Sequence, residues 1–312
     1  MTGTLSSTLG NLSSLQLLDL SYLKNLEGPI PPELGNLQNL TYLFLDRNRL
    51  TGSIPSSFGN LVQLKKLYLN DNQLSGVIPS SALQSLTSLA ELDLSGNQLS
   101  GGIPWTIGKM VSLAKLNIHS NNLSGSIPEQ IGSLKKLEVI DLSKNQMTGN
   151  IPESIGGLSQ LVELSLNQNR MTGPIPSSIS GLVSLQFYTL SENQLTGALL
   201  ESIGQLPNIQ RLTLNNNNRT GELPATIGNL KTLTDLLLST NYFTGQIDED
   251  IGDKVSMVSI EKLVLSHNPQ IGGSISASLG NLSELTVLEM AGNKLTGSIP
   301  EKVMRLEYLK SV

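Results

Sequence analysis

The sequence predicts an α/β-type solenoid, a stack of about twelve short coils with a parallel β-sheet on its concave side, and three observations predict it. An asparagine recurs at positions 48, 72, 97, 121, 145, 169, 193, 217, 241, 268 and 293; seven of the ten steps are 24 residues and the others are 25, 27 and 25. A Leu-x-Leu pair ends three residues before these asparagines, as Leu43 and Leu45 stand before Asn48. Glycine and proline then fall at fixed places, so that residues 40–61 read L-xx-L-x-L-xx-N-x-L-x-G-x-IP-xx-FG-x-L. A register that survives small insertions is what stacked units with loops on one side allow.

Each part of the coil has a cause. The Leu-x-Leu segment reads as a short strand with alternate side chains turned inward. A helix would place apolar residues at i, i+3, i+4 and i+7, and the recurrent Asn, Gly and Pro would break it in every unit. The asparagine comes next, where the chain leaves the strand and backbone N–H and C=O groups lose their partners. An amide side chain can donate and accept, so it replaces both. Gly and Pro then turn the chain back beside its starting point. One coil cannot bury its own leucine face, so neighbours stack, their strands pairing in parallel about 4.8 Å apart and reaching on the order of 60 Å over the whole series. Residues 1–312 are therefore expected to form one stack with an incomplete coil at each end, although length alone would suit two domains of about 100–200 residues.

The bulk composition excludes several functions. Charged residues are 14% of the chain, the net charge is −5, and no run carries one sign, so neither a nucleic-acid backbone nor an anionic membrane is favoured as a partner. Cysteine is absent, which removes disulfides, thiolate catalysis and thiolate zinc sites together. The N-terminal "MTGTLSSTLGNL" lacks the basic and apolar segments of a secretory signal. No apolar run approaches the roughly 18 residues that a spanning helix needs.

The stretches "LTGSIPSSFGNLVQL" (50–64) and "LSGSIPEQIGSLKKLEVIDLSKN" (123–145) resemble the plant-specific class of leucine-rich repeat, whose template is LxxLxxLxLxxNxLxGxIPxxLGxLxxL, and the resemblance covers about residues 2–312. It implies a superhelix with a short second strand at the "LTGxIP" segment and 3-10 or short helical segments on the convex side. It also implies a place at the cell surface or outside the cell, as in the ectodomains of plant receptor-like kinases and receptor-like proteins and in polygalacturonase-inhibiting proteins. With neither an export signal nor a transmembrane segment in the chain, the residues leave a cytoplasmic location open. The Cys-bearing caps of that class are missing, and the chain starts inside a coil, since "TGTLSSTLG" (2–10) matches "TGSIPSSFG" (51–59), so a fragment is expected. Leu23 stands in the asparagine column, Leu199–Leu200 replaces Ile–Pro, and Asp248 and Ser276 each replace the proline. The longest coil carries its added residues near "GDKVSMVSIEK" (252–262), a local irregularity of the kind that can carry function.

No catalytic constellation emerges, and no cofactor is expected. His119 and His267 lie six coils apart, on the order of 30 Å by strand spacing, too far to share a proton or a metal. Asp19, Asp93 and Asp141 fall between the strand leucines, facing the concave side, with the closest two about 10 Å apart. That exceeds the usual spacing of a retaining glycosidase pair. Neither a phosphate-cradling glycine loop nor a kinase signature occurs. Five Asn-x-Ser/Thr sequons, at Asn11, Asn39, Asn122, Asn218 and Asn281, become glycosylation sites only if the chain is secreted. The hydroxyl column Thr51, Ser75, Ser100, Ser124, Thr148, Thr172, Thr196, Thr220, Thr244 and Thr296 would form an array at about 4.8 Å, a spacing that raises ice binding as an alternative.

A partner is expected on the concave face. Tyr22, Tyr42, Phe44, Arg47, Lys66 and Tyr68 crowd it near the N-terminal end; Tyr42, Phe44 and Tyr68 are three of only ten Tyr and Phe residues. Tyr and Arg are what protein interfaces favour, because they bury much area at small entropic cost. Cross-strand stacking that merely stabilises the sheet would explain the same cluster. Phe187 stands alone further on, Leu237, Val264 and Val287 expose aliphatic groups, and Trp105 is expected to pack on its neighbour in a turn. The reading is a non-catalytic scaffold binding a peptide or protein in signalling or defence, with Tyr42, Phe44, Arg47, Lys66 and Tyr68 as ligand contacts. The alternatives are an inhibitor of a secreted polysaccharide hydrolase and an ice-binding surface.

Overall fold

The structure is a computed structural model that describes residues 3–247, 251, 257 and 259–312. Asp248 and most of the "GDKVSMVSIEK" insertion lie outside the described residues. The chain divides into two compact units, Met1–Leu161 and Val162–Val312.

In the first unit the Leu-x-Leu segments form the short parallel strands Leu17–Asp19, Tyr42–Phe44, Lys66–Tyr68, Glu91–Asp93, Lys115–Asn117 and Val139–Asp141. Their register aligns Leu18, Leu43, Leu67, Leu92, Leu116 and Ile140 in one inward row, all buried. The flanking residues of each strand point the other way, as a period of two requires. In the second unit the corresponding strands are Glu163–Ser165, Phe187–Thr189, Arg211–Thr213, Asp235–Leu237, Lys262–Val264 and Val287–Glu289. Here the inward row is Leu164, Tyr188, Leu212, Leu236, Leu263 and Leu288.

The asparagine column forms hydrogen bonds in both directions. The amide of Asn145 donates to the carbonyls of Leu142, Ser143 and Ile118, each at 3.1 Å, and its Oδ1 accepts the Leu123 N–H at 3.0 Å. Asn72, Asn97, Asn121 and Asn217 bond in the same pattern. In the first coil the Leu26 N–H bonds the Leu23 carbonyl at 2.7 Å instead of the next rung, and Asn48 Oδ1 is left buried and unbonded among the described residues.

Beyond each rung the chain makes the second strand implied by the resemblance, for example Arg49–Gly52 in the first unit and Thr220–Glu222 in the second. A proline or its substitute then opens a 3-10 segment: Pro55 at φ −63° precedes Ser56–Asn60, whose Phe58 N–H bonds the Pro55 carbonyl. Most of these segments carry glycine where they pack on the next coil, which lets them approach closely. An ideal Cβ on Gly132 would lie 2.5 Å from the Ser154 carbonyl oxygen of the next coil. The 25-residue step from Asn72 to Asn97 absorbs its extra residue on this side, where an α-helical turn, Ser80–Leu83, replaces the 3-10 segment.

Candidate functional site

The first unit gathers most of the expected concave residues. Tyr42 and Lys66 are register partners in one outward row, Phe44 and Tyr68 in the other. The Tyr42 and Phe44 ring centroids are 6.2 Å apart and those of Phe44 and Tyr68 are 5.0 Å apart, an aromatic ladder with tilted rings. The Tyr68 hydroxyl donates to the Glu91 carboxylate, which also pairs with Lys66 Nζ at 3.0 Å. Burial, reinforced by Glu91, pushes the Tyr68 hydroxyl well above its ordinary pKa. Burial alone would raise the Glu91 carboxyl too, but the bonds from Tyr68 and Lys66 outweigh it and hold the group below its usual range.

Tyr22 and Arg47 lie elsewhere. Both occupy the turn just before the rung, in the left-handed region at φ 59° and 55°, rather than on the strands. The Arg47 guanidinium stacks 4.6 Å over the Tyr22 ring and pairs with Asp71 at 3.4 Å. Trp105 is 58% exposed.

Asp19, Asp93 and Asp141 have local work that accounts for them. Each carboxylate accepts the backbone N–H of the serine two residues on, Ser21, Ser95 or Ser143, at 2.9–3.0 Å. The Ser21 hydroxyl and N–H hold the Asp19 carboxyl below its ordinary pKa. An Asp-x-Ser turn of this kind closes each strand end, and "DLS" recurring in the sequence was its signal.

A second outward surface lies in the second unit, where the sequence places Phe187, Leu237, Val264 and Val287 but none of the charged residues. One outward row runs Glu163, Phe187, Arg211, Asp235, Lys262 and Val287 across the strands. Asp235 is wedged between two cations, with Arg211 Nε at 2.9 Å and Lys262 Nζ at 3.3 Å. Its carboxylate is 6% exposed, whereas the two cations keep 47% and 45% of their side-chain surface. The second row adds Thr189, whose hydroxyl donates to Ser165 Oγ at 2.9 Å, together with Thr213 and Leu237. These rows line a concavity of about 750 Å³. These residues share one position in successive coils, so the alternation of charge is present in the sequence.

The hydroxyl column does not form the expected 4.8 Å array. Among the second strands Thr51 pairs with Gln73, Ser75 with Gln98, Ser124 with Gln146 and Thr172 with Gln194. Each hydroxyl residue thus faces a residue two places ahead of the next hydroxyl. A two-residue step adds roughly 6.6 Å along the strand, so neighbouring hydroxyls stand about 8 Å apart.

Leucine-rich repeat profiles match residues 38–99, 111–171, 208–230 and 284–306, together more than half the chain. The chain belongs to the leucine-rich repeat family. Within it, the likeness is to plant receptor ectodomains. The leucine-rich repeat ectodomain of the Arabidopsis thaliana membrane receptor kinase GASSHO1/SCHENGEN3, solved with CASPARIAN STRIP INTEGRITY FACTOR 2, is 38% identical with a TM-score of 0.96 over 99% of this chain and 37% of that one. The Arabidopsis receptor kinase HAESA, solved with the peptide hormone IDA and the co-receptor SERK1, is 31% identical with a TM-score of 0.90, over 100% of this chain and 55% of that one. A plant ice-binding protein is 26% identical with a TM-score of 0.61, over 86% of this chain and 79% of that one. The chain therefore spans about a third to a half of the receptor chains it resembles. No curated protein matches it in sequence. Among the described residues no helix is long and apolar enough to cross a membrane.

Proposed function

We propose that the chain is a non-catalytic recognition scaffold that binds a peptide or protein ligand on its concave strands, as part of an extracellular or cell-surface receptor-like protein. The observation that carries this reading is the second unit's row of Phe187, Arg211, Asp235 and Lys262. It offers an aromatic edge and two half-exposed cations in a concavity of about 750 Å³. That volume suits a ligand's side chains, and Phe and Arg are the anchors that interfaces favour. The Asp235 carboxylate holds both cations in place, so they meet a ligand with little further loss of freedom. Tyr42, Phe44, Arg47, Lys66 and Tyr68 remain proposed contacts in the first unit. The solved complexes of the similar receptors with CASPARIAN STRIP INTEGRITY FACTOR 2 and with IDA support a peptide as the ligand class.

The test is selection of binders from a random peptide library displayed on phage. Peptides enriched on the parent chain should lose at least about tenfold in affinity against Phe187→Ala or Arg211→Ala, the scale of truncating one interface anchor. Melting curves should stay close to the parent's. Peptides that bind both variants as tightly as the parent would remove the concave row from the site.

Ice binding is the second reading, supported by the likeness to a plant ice-binding protein. The stepped hydroxyl register weakens it, and an ice-recrystallisation assay on the parent chain decides it.

A further inference from the structure

A second hollow lies on the rim of the second unit, away from the concave rows, and its chemistry differs from theirs. It has a volume of about 490 Å³ and is bordered by the residues just before and just after the rungs of successive coils. The residues before are Asn216, Thr240, His267 and Gly292, and those after include Asn218 and Tyr242. No carboxylate, ammonium or guanidinium lines it. In other coils the same two positions hold charged groups, such as Arg47 and Arg49, Lys144, Arg170 or Glu192.

Tyr242 is 53% exposed. Among the described residues no ring or cation lies on it, whereas Tyr22, at the rim of the first unit, is covered by Arg47. The Asn241 amide is consumed by the carbonyls of Leu214, Leu238 and Ser239. Those of Asn216 and Asn218 bond to nothing among the described residues, so both face the hollow with a donor and an acceptor. The residue before the rung is left-handed throughout the repeat, from Tyr22 to His267, so this geometry belongs to the coil and not to the hollow. Thr240, at φ +54°, is the β-branched residue among them, at a cost of about 1–3 kcal/mol. The bare Gly292 leaves room for the His267 ring, since an ideal Cβ there would lie 2.6 Å from its Nδ1.

We propose that this hollow binds a neutral sugar, one pyranose ring stacking its C–H face on Tyr242 while the Asn216 and Asn218 amides and His267 meet its hydroxyls. The electron-rich face of an aromatic ring attracts polarised C–H groups. Paired amides satisfy hydroxyls that both donate and accept. The lack of formal charge turns away acidic and basic ligands alike. Two sources carry this chemistry. One is a free neutral oligosaccharide. The other is a glycan on Asn218 itself, which heads the sequon Asn218-Arg219-Thr220 and stands two residues before Thr220, the register partner of Tyr242, and so about 8 Å from it.

The test uses the full chain made in bacteria, which attach no such glycan, titrated by saturation-transfer NMR with cellotriose and chitotriose, with trigalacturonate as the charged comparison. Transfer from at least one neutral probe is expected. Tyr242→Ala should weaken it at least about tenfold, Tyr242→Phe should keep it within about twofold, and trigalacturonate should not compete. The concave variant Arg211→Ala should leave it unchanged, which separates this site from the peptide reading. Material from a secreting eukaryotic host then distinguishes the sources. A glycan lodged in the hollow blocks the probe, and Thr220→Ala restores it; a site for free sugar binds the probe equally from both hosts. No transfer from either neutral probe to the bacterial chain, or transfer that survives Tyr242→Ala, overturns the proposal.

Discussion

At the scale of single residues, the repeat's own regularity exposes the substitutions that strain it. Arg219 stands in a column otherwise filled by residues such as Leu123, Met147, Met171 and Leu195, and it is fully buried. Its two terminal nitrogens donate to the carbonyls of Thr196 and Ala198 at 2.6 Å, but its Nε has no partner among the described residues. Burial pushes its pKa down to about 10, and no carboxylate pairs with it among the described residues. The Tyr188 hydroxyl, in the inward leucine row of the same unit, is also buried and unbonded. A buried charge without a counter-charge costs more than an apolar group of similar volume. Arg219→Met should therefore melt at or above the parent's temperature, with a gain of up to about 1–4 kcal/mol. A clear drop by calorimetry would mean that the guanidinium holds a compensating partner. Asp46 presents the acidic counterpart. Burial raises its pKa, and the nearby carboxylates Asp19, Asp93 and Asp71 raise it further, against a smaller lowering from its own backbone N–H. Between its ordinary value of 3.8 and the raised folded value, the folded state binds more protons than the unfolded one, so stability falls as pH rises through that window. Asp46→Asn should accordingly be more stable than the parent at pH 7, with the difference vanishing below the ordinary value. Equal melting temperatures at both pH values would sink this account.

At the scale of the repeated element, the asparagine rung was legible because its cause is local: wherever the chain leaves the strand, buried peptide groups lack partners, so the same side chain recurs. Its four bonds give Asn145 a defined cost. Asn145→Ala leaves the Leu123 N–H and three carbonyls with fewer partners and should destabilise by about 1–3 kcal/mol in a thermal or urea melt. Asn293 serves as the internal comparison. The inserted residue after Asn268 diverts the Ile271 N–H to the Asn268 carbonyl, and Asn293 Oδ1 takes the Asn268 N–H instead, at 2.8 Å. Asn293 is also less buried, so Asn293→Ala should cost less than Asn145→Ala; the reverse order would break the link between burial and cost. The second-strand stagger was not legible. It depends on how far the glycine at φ near +75°, such as Gly52, displaces one coil against the next, and the sequence period of 24 says nothing about that displacement. For this reason the period of the hydroxyl column implies an array that the second strands do not form.

At the scale of the whole molecule, a repeat tells which residues point outward but not which of them cooperate. The concave aromatic cluster was found from composition, and it resolves into a ladder whose Tyr68 hydroxyl is already bonded. In the row of Phe187, Arg211, Asp235 and Lys262 the charged residues are not rare alone, and only lateral pairing brings opposite charges to 2.9 and 3.3 Å. The same one-dimensional pairing governs stability. When each coil meets only its neighbours, a defect should spread to adjacent coils and fade, rather than weaken a unit evenly. Gly132→Ala tests this, because its new Cβ would lie 2.5 Å from the Ser154 carbonyl oxygen and must push the segments Glu129–Ser133 and Glu153–Gly157 apart. Hydrogen exchange read by mass spectrometry should rise most in peptides covering those two segments and their strands. It should rise less in the coils around Ser56–Asn60, several repeats away. An even rise across Met1–Leu161 would mean that the first unit opens as one cooperative piece and that nearest-neighbour stacking does not set its stability.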